Sequence, residues 1–362
     1  MKRLTGLFLL LLSAAVQACP FCAPAEADLF SELQEAQAVV LVSKVDAQKF
    51  KIVEVWKGQA AVGKVVLAGE ARGKASAGSK LLLTTAGPPN LPYWSDAPRH
   101  LTPDDLGFVK KALPMAKASA PQKWDFGAAH LEKGSSEVTV AAYSLLAGAP
   151  LSEVQKRAKT VGHARLLSWV KSPNVPAERR ALYLLMATPG LSPSDAGWLK
   201  AALFNPKLPL SSPMVGPYVV AYLQTAGVPA VAQVEKRFLA PNVAPAQTLE
   251  ITRALALVAH RSSSPAMKNA IKAVFLREVV HPKRGPFAVA PLAVWRDYGA
   301  AATVEKMAQN SRETWVKVAA IRYFRSFNSP EAKAALDRLA KSDGNLVTRT
   351  NDAYKVSDLG IE

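Results

Sequence analysis

Among its 362 residues the chain has only two cysteines, Cys19 and Cys22, and five histidines, His100, His130, His163, His260 and His281. No two histidines stand at ligand spacing and there is no His-Glu-x-x-His, so no zinc motif is present. Ala23 follows Cys22 where haem attachment would require histidine. Glycines nowhere form a phosphate-cradling loop, and Ser144, Ser168 and Ser211 lack a Gly-x-Ser-x-Gly elbow. Acidic residues are scarce, 28 against 45 Lys plus Arg, and most stand where helix caps or helix surfaces expect them, which leaves no paired-carboxylate signature for acid-base work. These gaps predict a protein with no catalytic residue, no cofactor and no metal. Like-charge runs are missing as well: the densest groups are Lys110-Lys111, Arg179-Arg180 and Lys283-Arg284, the dispersed pattern of a solvated surface.

A short apolar stretch lies near the start. Lys2-Arg3, the run from Leu7 to Leu12 with Ala14, Ala15 and Val16, and the Val16 and Ala18 positions form the parts of an export signal, too short to span a bilayer as a permanent helix. Residues 1–18 are therefore expected to be a signal peptide and the protein to work in the periplasm, the outer envelope or outside the cell. Directly after the cleavage point comes Cys19-Pro20-Phe21-Cys22. Val-Gln-Ala-Cys is similar to the box of bacterial lipoprotein signals, which would place a lipid on Cys19. The competing expectation is a Cys19 to Cys22 disulfide in an oxidising compartment. A third reading is redox chemistry, because Cys-Pro-Phe-Cys resembles the glutaredoxin tetrapeptide, but that chemistry needs a preceding strand and a helix N-terminus. Here only the signal precedes it.

From Ala38 to Thr85 the sequence reads as short strands: Ala38-Val39-Val40-Leu41-Val42, Phe50 to Trp56 with a turn at Lys57-Gly58, Val65-Val66-Leu67 and Leu81-Leu82-Leu83. Strands this short with close turn signals predict a small sheet that curls into a barrel or sandwich, preceded by a helix over Asp28 to Ala36. The order Cys-x-x-Cys, helix, Val-Val-Leu-Val, then Val53-Glu54-Val55-Trp56-Lys57-Gly58 resembles the OB-like domain of tissue inhibitors of metalloproteinases and netrin modules. That resemblance implies a barrel over residues 19 to 86. In the inhibitors the amine and carbonyl of the first cysteine chelate the protease zinc, and Cys19 is the matching residue. The spacing here departs from their Cys-x-Cys, and the downstream cysteines that lock the inhibitor's terminus are missing.

A proline-rich stretch, residues 87 to 103, reads as a linker. Helices are predicted from there on, each announced by Thr102-Pro103, Ser192-Pro193, Ser212-Pro213, Ser264-Pro265 or Ser329-Pro330, since Ser or Thr accepts orphan amide bonds while Pro suits the first helical position. Two-faced helices such as Val231, Val234, Phe238 or Ile271, Val274, Phe275, separated by short loops, predict antiparallel pairs stacked as an α-solenoid. Ser329 to Ala340, preceded by Val316 to Phe324, resembles a HEAT repeat. Trp169, Ala177 to Tyr183 and Val294-Trp295-Arg296-Asp297-Tyr298 are similar to patches of exported bacterial proteins of unassigned function. If Trp295, Arg296 and Asp297 lie on a helix, neighbours point apart, giving one buried indole and two surface charges.

The expected fold class is mainly α: a small β-barrel-like, OB-like domain (residues 19–100), a HEAT-like helical domain (101–345) able to fold alone, and an irregular tail (346–362). The formal charge is +17, or +15 after loss of Lys2 and Arg3 with the signal. Such an excess favours an anionic partner, a protein or an anionic envelope component. Export argues against nucleic acid, and membrane attachment is expected only through a lipid on Cys19. The leading expectation is a scaffold whose concave solenoid face binds a macromolecule. The alternatives are a protease inhibitor acting through the first domain and a thiol-redox protein using Cys19 and Cys22.

Overall fold

Residues 21–22, 28–71, 80–87, 93–94, 97–240 and 243–359 are described by the computed structural model. The chain divides into two compact units, residues 23–148 with 156–165, and residues 149–155 with 166–362, the second also including Phe21 and Cys22.

In the first unit, Asp28 starts helix α1 (Leu29–Glu35) by accepting the amides of Phe30 at 2.8 Å and Ser31 at 3.0 Å, which satisfies two of the orphan donors of a helix start. Among the described residues six antiparallel strands follow: β1 (Val39–Lys44), β2 (Lys49–Lys57), β3 (Val65–Leu67), β4 (Lys80–Ala86), β5 (Tyr93–Trp94) and β6 (Arg99–His100). Their order is β3-β2-β1-β4-β5, with β6 also on β4. Central strands buried on both faces read as unbroken apolar runs, and β1 and β4 do so for that reason. Val39 and Leu82 face the α1 core, while Val40, Val42, Leu81 and Leu83 face an inner cluster with Phe50, Ile52 and Val66. Trp94, on β5, packs on the same inner cluster as Ala60 and Ala68 beside β3. The sheet thereby curls into a nearly closed barrel, as an OB-like domain requires.

Helices α2 (Pro103–Ala112), α3 (Ala120–His130) and α4 (Ser136–Ala147) complete this unit's core. Thr102 and Asp105 form a reciprocal capping box at α2. The buried Asp105 carboxylate also accepts the Ser135 amide at 2.8 Å. Burial would raise its pKa, but the bonds from Ser135 and Thr102 outweigh burial and hold it below the usual carboxylate range. Phe108, Val109, Phe126 and Val138 share one cluster with Leu29, Phe30, Leu33, Val39 and Leu82. His130 closes it, 4.3 Å from the Phe126 ring and 5.2 Å from Phe108, with Nδ1 2.8 Å from the Phe126 carbonyl. The core therefore runs straight through residue 100, where the sequence reading divides the chain.

Short helices α5 (Leu151–Lys156), α6 (Ala158–Val161) and α7 (His163–Lys171) follow. The buried Arg157 fastens α6 to α3 with Nε 2.9 Å from Asp125 and Nη2 donating to the Pro121 carbonyl at 3.1 Å. Ten further helices build the second unit: α8 (Ala177–Ala187), α9 (Ala196–Leu203), α10 (Val215–Ala226), α11 (Pro229–Phe238), α12 (Pro245–Arg261), α13 (Pro265–Glu278), α14 (Gly285–Val294), α15 (Ala301–Asn310), α16 (Thr314–Arg325) and α17 (Pro330–Arg349). They form the two layers of a HEAT-like solenoid. In one layer α8, α10, α12, α14 and α16 pack each on the next, and α9, α11, α13, α15 and α17 pack against them.

Burial separates the layers. In α11 only Ala230, Val231, Val234 and Phe238 are buried, and in α13 Met267, Ile271, Val274 and Phe275, the single stripe of a helix with one wet face. By contrast α8 buries every residue from Ala181 to Ala187, and α10 every residue from Val215 to Leu223. Helices apolar all round must be covered on both sides.

The cap pattern holds with one displacement. Thr102, Ser264 and Ser329 cap α2, α13 and α17, and Ser192 caps a 3₁₀ turn that leads into α9. Ser212 instead accepts the Met214 amide in a turn, and α10 begins at Val215. Past residue 345, α17 continues to Arg349 after a break at Asp343, and Thr350–Leu359 packs as described below.

A fragment starting at Leu101 should fail to fold as the full chain does, because Phe108, Val109 and Phe126 lose the cover of Leu29, Phe30 and Leu33. Each such side chain contributes about 1.5–3 kcal/mol on burial. The expected readout is dye binding and a broadened melt for residues 101–147; a sharp, native-like melt of that region would contradict the shared core.

Candidate binding surfaces

The residues singled out in the sequence fall mostly into structural roles. Cys19 lies outside the described residues, and with it the choice between lipid and disulfide. Cys22 is half-buried, and its neighbour Phe21 rests on α10. A Cβ at Gly216 would stand 2.4 Å from Phe21 Cε1, so the ring occupies space that only glycine leaves. The segment carrying Cys22 is thus held by the helical unit and grouped with it.

The stretch Val53 to Gly58 is used up by folding. Trp56 Nε1 donates to Glu54 at 2.8 Å, and the Lys110 ammonium lies 5.2 Å over the indole. Lys57 Nζ donates to the carbonyls of Leu33 and Gln34 at 2.9 and 2.8 Å, closing the C-terminal end of α1, where a cation suits the helix dipole. Partial burial lowers its pKa. Gly58 has φ of +77°, and a Cβ there would meet the Gln37 carbonyl oxygen at 2.0 Å, so the turn demands glycine.

Trp295, Arg296 and Asp297 are not on a helix, because α14 ends at Val294 and Arg296 adopts φ of +54°. Trp295 packs 5.5 Å from the Phe275 ring. Asp297 is no surface charge: its side chain is 8% exposed, ion-paired with Lys272, and its Oδ1 accepts the Gly299 amide at 2.8 Å. Its carbonyl accepts the Tyr323 hydroxyl at 2.6 Å. A hollow of 250 Å³ beside it is lined by His260, Lys268, Asn269, Lys272 and Trp295. The five histidines are dispersed, and among the described residues no three His, Cys, Asp or Glu side chains converge as a metal site. Among the described residues no helix is long and apolar enough to cross a membrane.

Two surfaces remain. On the outer layer Lys236 (α11), Lys268 (α13), Lys306 (α15) and Lys333 (α17) are exposed, and none of them pairs with a carboxylate. Two of the carboxylates on these helices are engaged with arginine: Arg277 grips Glu235 through Nε and Nη2 at 2.7 and 2.8 Å, and Arg338 grips Glu305 at 2.6 and 2.9 Å. The same fork thus joins α11 to α13 and α15 to α17. Bonding to the other member lowers the Glu305 pKa and raises that of Arg338, the mark of a matched pair.

The second surface is on α12, α14 and α16, where residues Thr350–Leu359 lie. Arg322 Nη2 donates to Asp358 at 2.6 Å, and its guanidinium is 4.3 Å over the Tyr354 ring. Ser326 Oγ accepts the Tyr354 amide at 3.1 Å, and the 3₁₀ turn Val356–Leu359 sits on α14 and α12 with Leu359 buried. Burial pushes the Tyr354 pKa up to about 12, with Arg322 opposing and Asp358 reinforcing.

Two outcomes follow from these contacts. Gly216→Ala should cost about 1–3 kcal/mol by overpacking, and Phe21→Ala in the same chain should recover part of it, a coupling of about 0.5–3 kcal/mol read by chemical denaturation; strict additivity would contradict the slot. Tyr354 favours its neutral form when folded, so its contribution is full below the ordinary tyrosine value of 10.0 and is lost as pH rises through about 12. A tyrosinate difference titration of the full chain against Tyr354→Phe should place the missing group near 12, and a value near 10 would contradict the packing.

No family model, no curated protein and no solved structure matches this chain, and its chemistry is read from its own residues.

Proposed function

We propose that the chain is an exported, non-enzymatic scaffold of the cell envelope whose helical repeats bind an acidic macromolecule. The observation that carries this reading is the outer layer, where four successive outer helices each expose a lysine with no carboxylate partner. With Glu235 and Glu305 held by arginine and these four lysines open, the surface has charge to offer an anionic partner, consistent with a net +15 after loss of Lys2 and Arg3 from the +17 of the full chain. Single lysines in water gain little each, but several acting together steer and hold a polyanion. The buried runs of α8, α10 and α14 contrast with the one-sided stripes of α11, α13, α15 and α17, whose wet faces carry these lysines. HEAT-like repeats and an OB-like barrel suit this reading because both offer surfaces on a rigid frame. The inhibitor and redox alternatives draw no specific support, since the Phe21-Cys22 segment is packed on α10 and the Val53 to Gly58 stretch is engaged within its own unit.

The test uses the full chain and a fluorescent polyglutamate probe. Binding should weaken as salt rises, following screening lengths that shrink to about 10 Å at 0.1 M ionic strength. The quadruple variant Lys236→Glu, Lys268→Glu, Lys306→Glu, Lys333→Glu should lose it while melting normally. Binding that ignores salt, or survives the four reversals unchanged, would contradict the proposal.

A further inference from the structure

Among the described residues eight large apolar side chains are exposed, and four of them, Val45, Val62, Val65 and Leu67, belong to one end of the first unit's sheet. Their exposures are 53%, 66%, 49% and 69%. Strand pairing fixes their arrangement. Side chains alternate across a sheet, and Val42, Phe50, Ile52, Val66 and Leu81 face the inner cluster, so Ser43, Lys49, Lys51, Val65, Leu67 and Lys80 lie on the outer face. Lys80 pairs with Ser43, Ser43 with Lys51, and Lys51 with Val65, one row across β4, β1, β2 and β3. In the next row Leu67 pairs with Lys49, whose carbonyl accepts the Val45 amide at 2.9 Å. The outer face at this end thus sets aliphatic side chains among lysines, all of them exposed.

Charge and composition decide what such a face would meet. Lys51, Lys80 and, two residues after Val62, Lys64 have no carboxylate partner among the described residues. Lys49 is held by Asp46 at 3.2 Å with both side chains in water, a pairing that solvent screens. Lysine on an edge strand guards against pairing with another sheet. Here the edge strand is β3, which itself presents Val65 and Leu67, while the lysines stand behind it on β2 and β4. Protein interfaces are enriched in Trp, Tyr, Met and Arg and depleted of Lys, whereas the two rows hold lysine and none of the other four. Aliphatic tips ringed by lysine suit a lipid headgroup layer. The tips enter the acyl boundary, and the lysine stems lie along them while the ammonium groups reach lipid phosphates.

We infer that this outer face of the barrel, carrying Val45, Val62, Val65 and Leu67 among Lys49, Lys51, Lys64 and Lys80, is a docking surface for an anionic phospholipid bilayer. It needs no lipid on Cys19. It goes beyond the outer-lysine reading and uses none of Lys236, Lys268, Lys306 and Lys333, so either can fail alone.

The experiment uses the chain without its expected signal, residues 1–18, made without export so that Cys19 carries no lipid. It is sedimented with vesicles of equal parts phosphatidylcholine and phosphatidylglycerol, and with vesicles of phosphatidylcholine alone. Binding to the anionic vesicles should be at least about tenfold tighter, since each lysine near such a surface counts for about fivefold. Lys51→Glu with Lys80→Glu should weaken it about tenfold or more, and so should Val62→Ser with Leu67→Ser, which removes the inserted tips. The four outer-lysine reversals should weaken it less than either pair. No binding to anionic vesicles, equal binding to both kinds, or binding that survives both pairs overturns the inference. A greater loss from the outer lysines overturns it too, as does self-association through Leu67 without vesicle binding, which would put a second copy on this face. Polyglutamate binding by the same chains reports on the outer-lysine reading separately. Should a variant melt early, amide exchange of the unaltered chain decides. Anionic vesicles should slow exchange in residues 44–51 and 62–67, and protection confined to the helical unit overturns the inference.

Discussion

The helical unit depends on one constraint: a layer of helices that is apolar on every side has to be covered on both. Ala181 to Ala187 in α8, Val215 to Leu223 in α10 and most of α14 are out of water. The amphipathic helices α11, α13, α15 and α17 cover one side with stripes three and four residues apart. On the other, pieces from distant parts of the chain take up the work. Phe21 fills the notch at Gly216 on α10, Gln155 bonds both the Leu185 carbonyl and Arg261, and Val356–Leu359 lies on α12 and α14. Each is a small contact. Together they leave apolar helix sides dry, where the hydrophobic contribution is largest.

Charge is placed around that layer with little waste. Buried Arg284 is fixed by Glu278 and by the Ala240 carbonyl at 2.6 Å, and buried Arg157 by Asp125 and Pro121. Removing one partner of such a pair strands a buried charge, which costs far more than the pair contributes. The exposed forks Glu235 to Arg277 and Glu305 to Arg338 are of the other kind, oriented by two parallel bonds but screened by solvent. They tie alternate outer helices together and leave the lysines beside them open. On that surface Glu235 and Glu305 are held by arginine, while Lys236, Lys268, Lys306 and Lys333 stand exposed.

Much of the fold could be read in the sequence because the signals were local. Pro after Ser or Thr marked helix starts, and period-three-and-four stripes marked the outer helices. Val39 to Val42 and Leu81 to Leu83 marked strands buried on both faces. The division at residue 100 was not legible, since Phe108 and Phe126 meet Leu29 and Phe30 only in three dimensions. Asp297 looked like a surface charge because Val294 to Tyr298 scanned as helix; the helix stops at Val294, and the carboxylate turns inward to Lys272. Helical periodicity in the sequence is lost from Asn345 on, so the seating of Tyr354, Asp358 and Leu359 left no pattern to find. Their partners, Arg322 and the sides of α12 and α14, are distant in sequence. Of the candidate surfaces, the lysines were visible as charge, but their freedom depends on which arginines hold the glutamates.

Hydrogen exchange of the full chain, resolved by peptide, tests the covered layer most directly. Amides of α8, α10, α12 and α14 should open only with global unfolding, the slowest class, while those of α11, α13, α15 and α17 exchange earlier through their wet faces. Fast exchange in α10 or α12, with slow exchange in α13 or α17, would contradict the account.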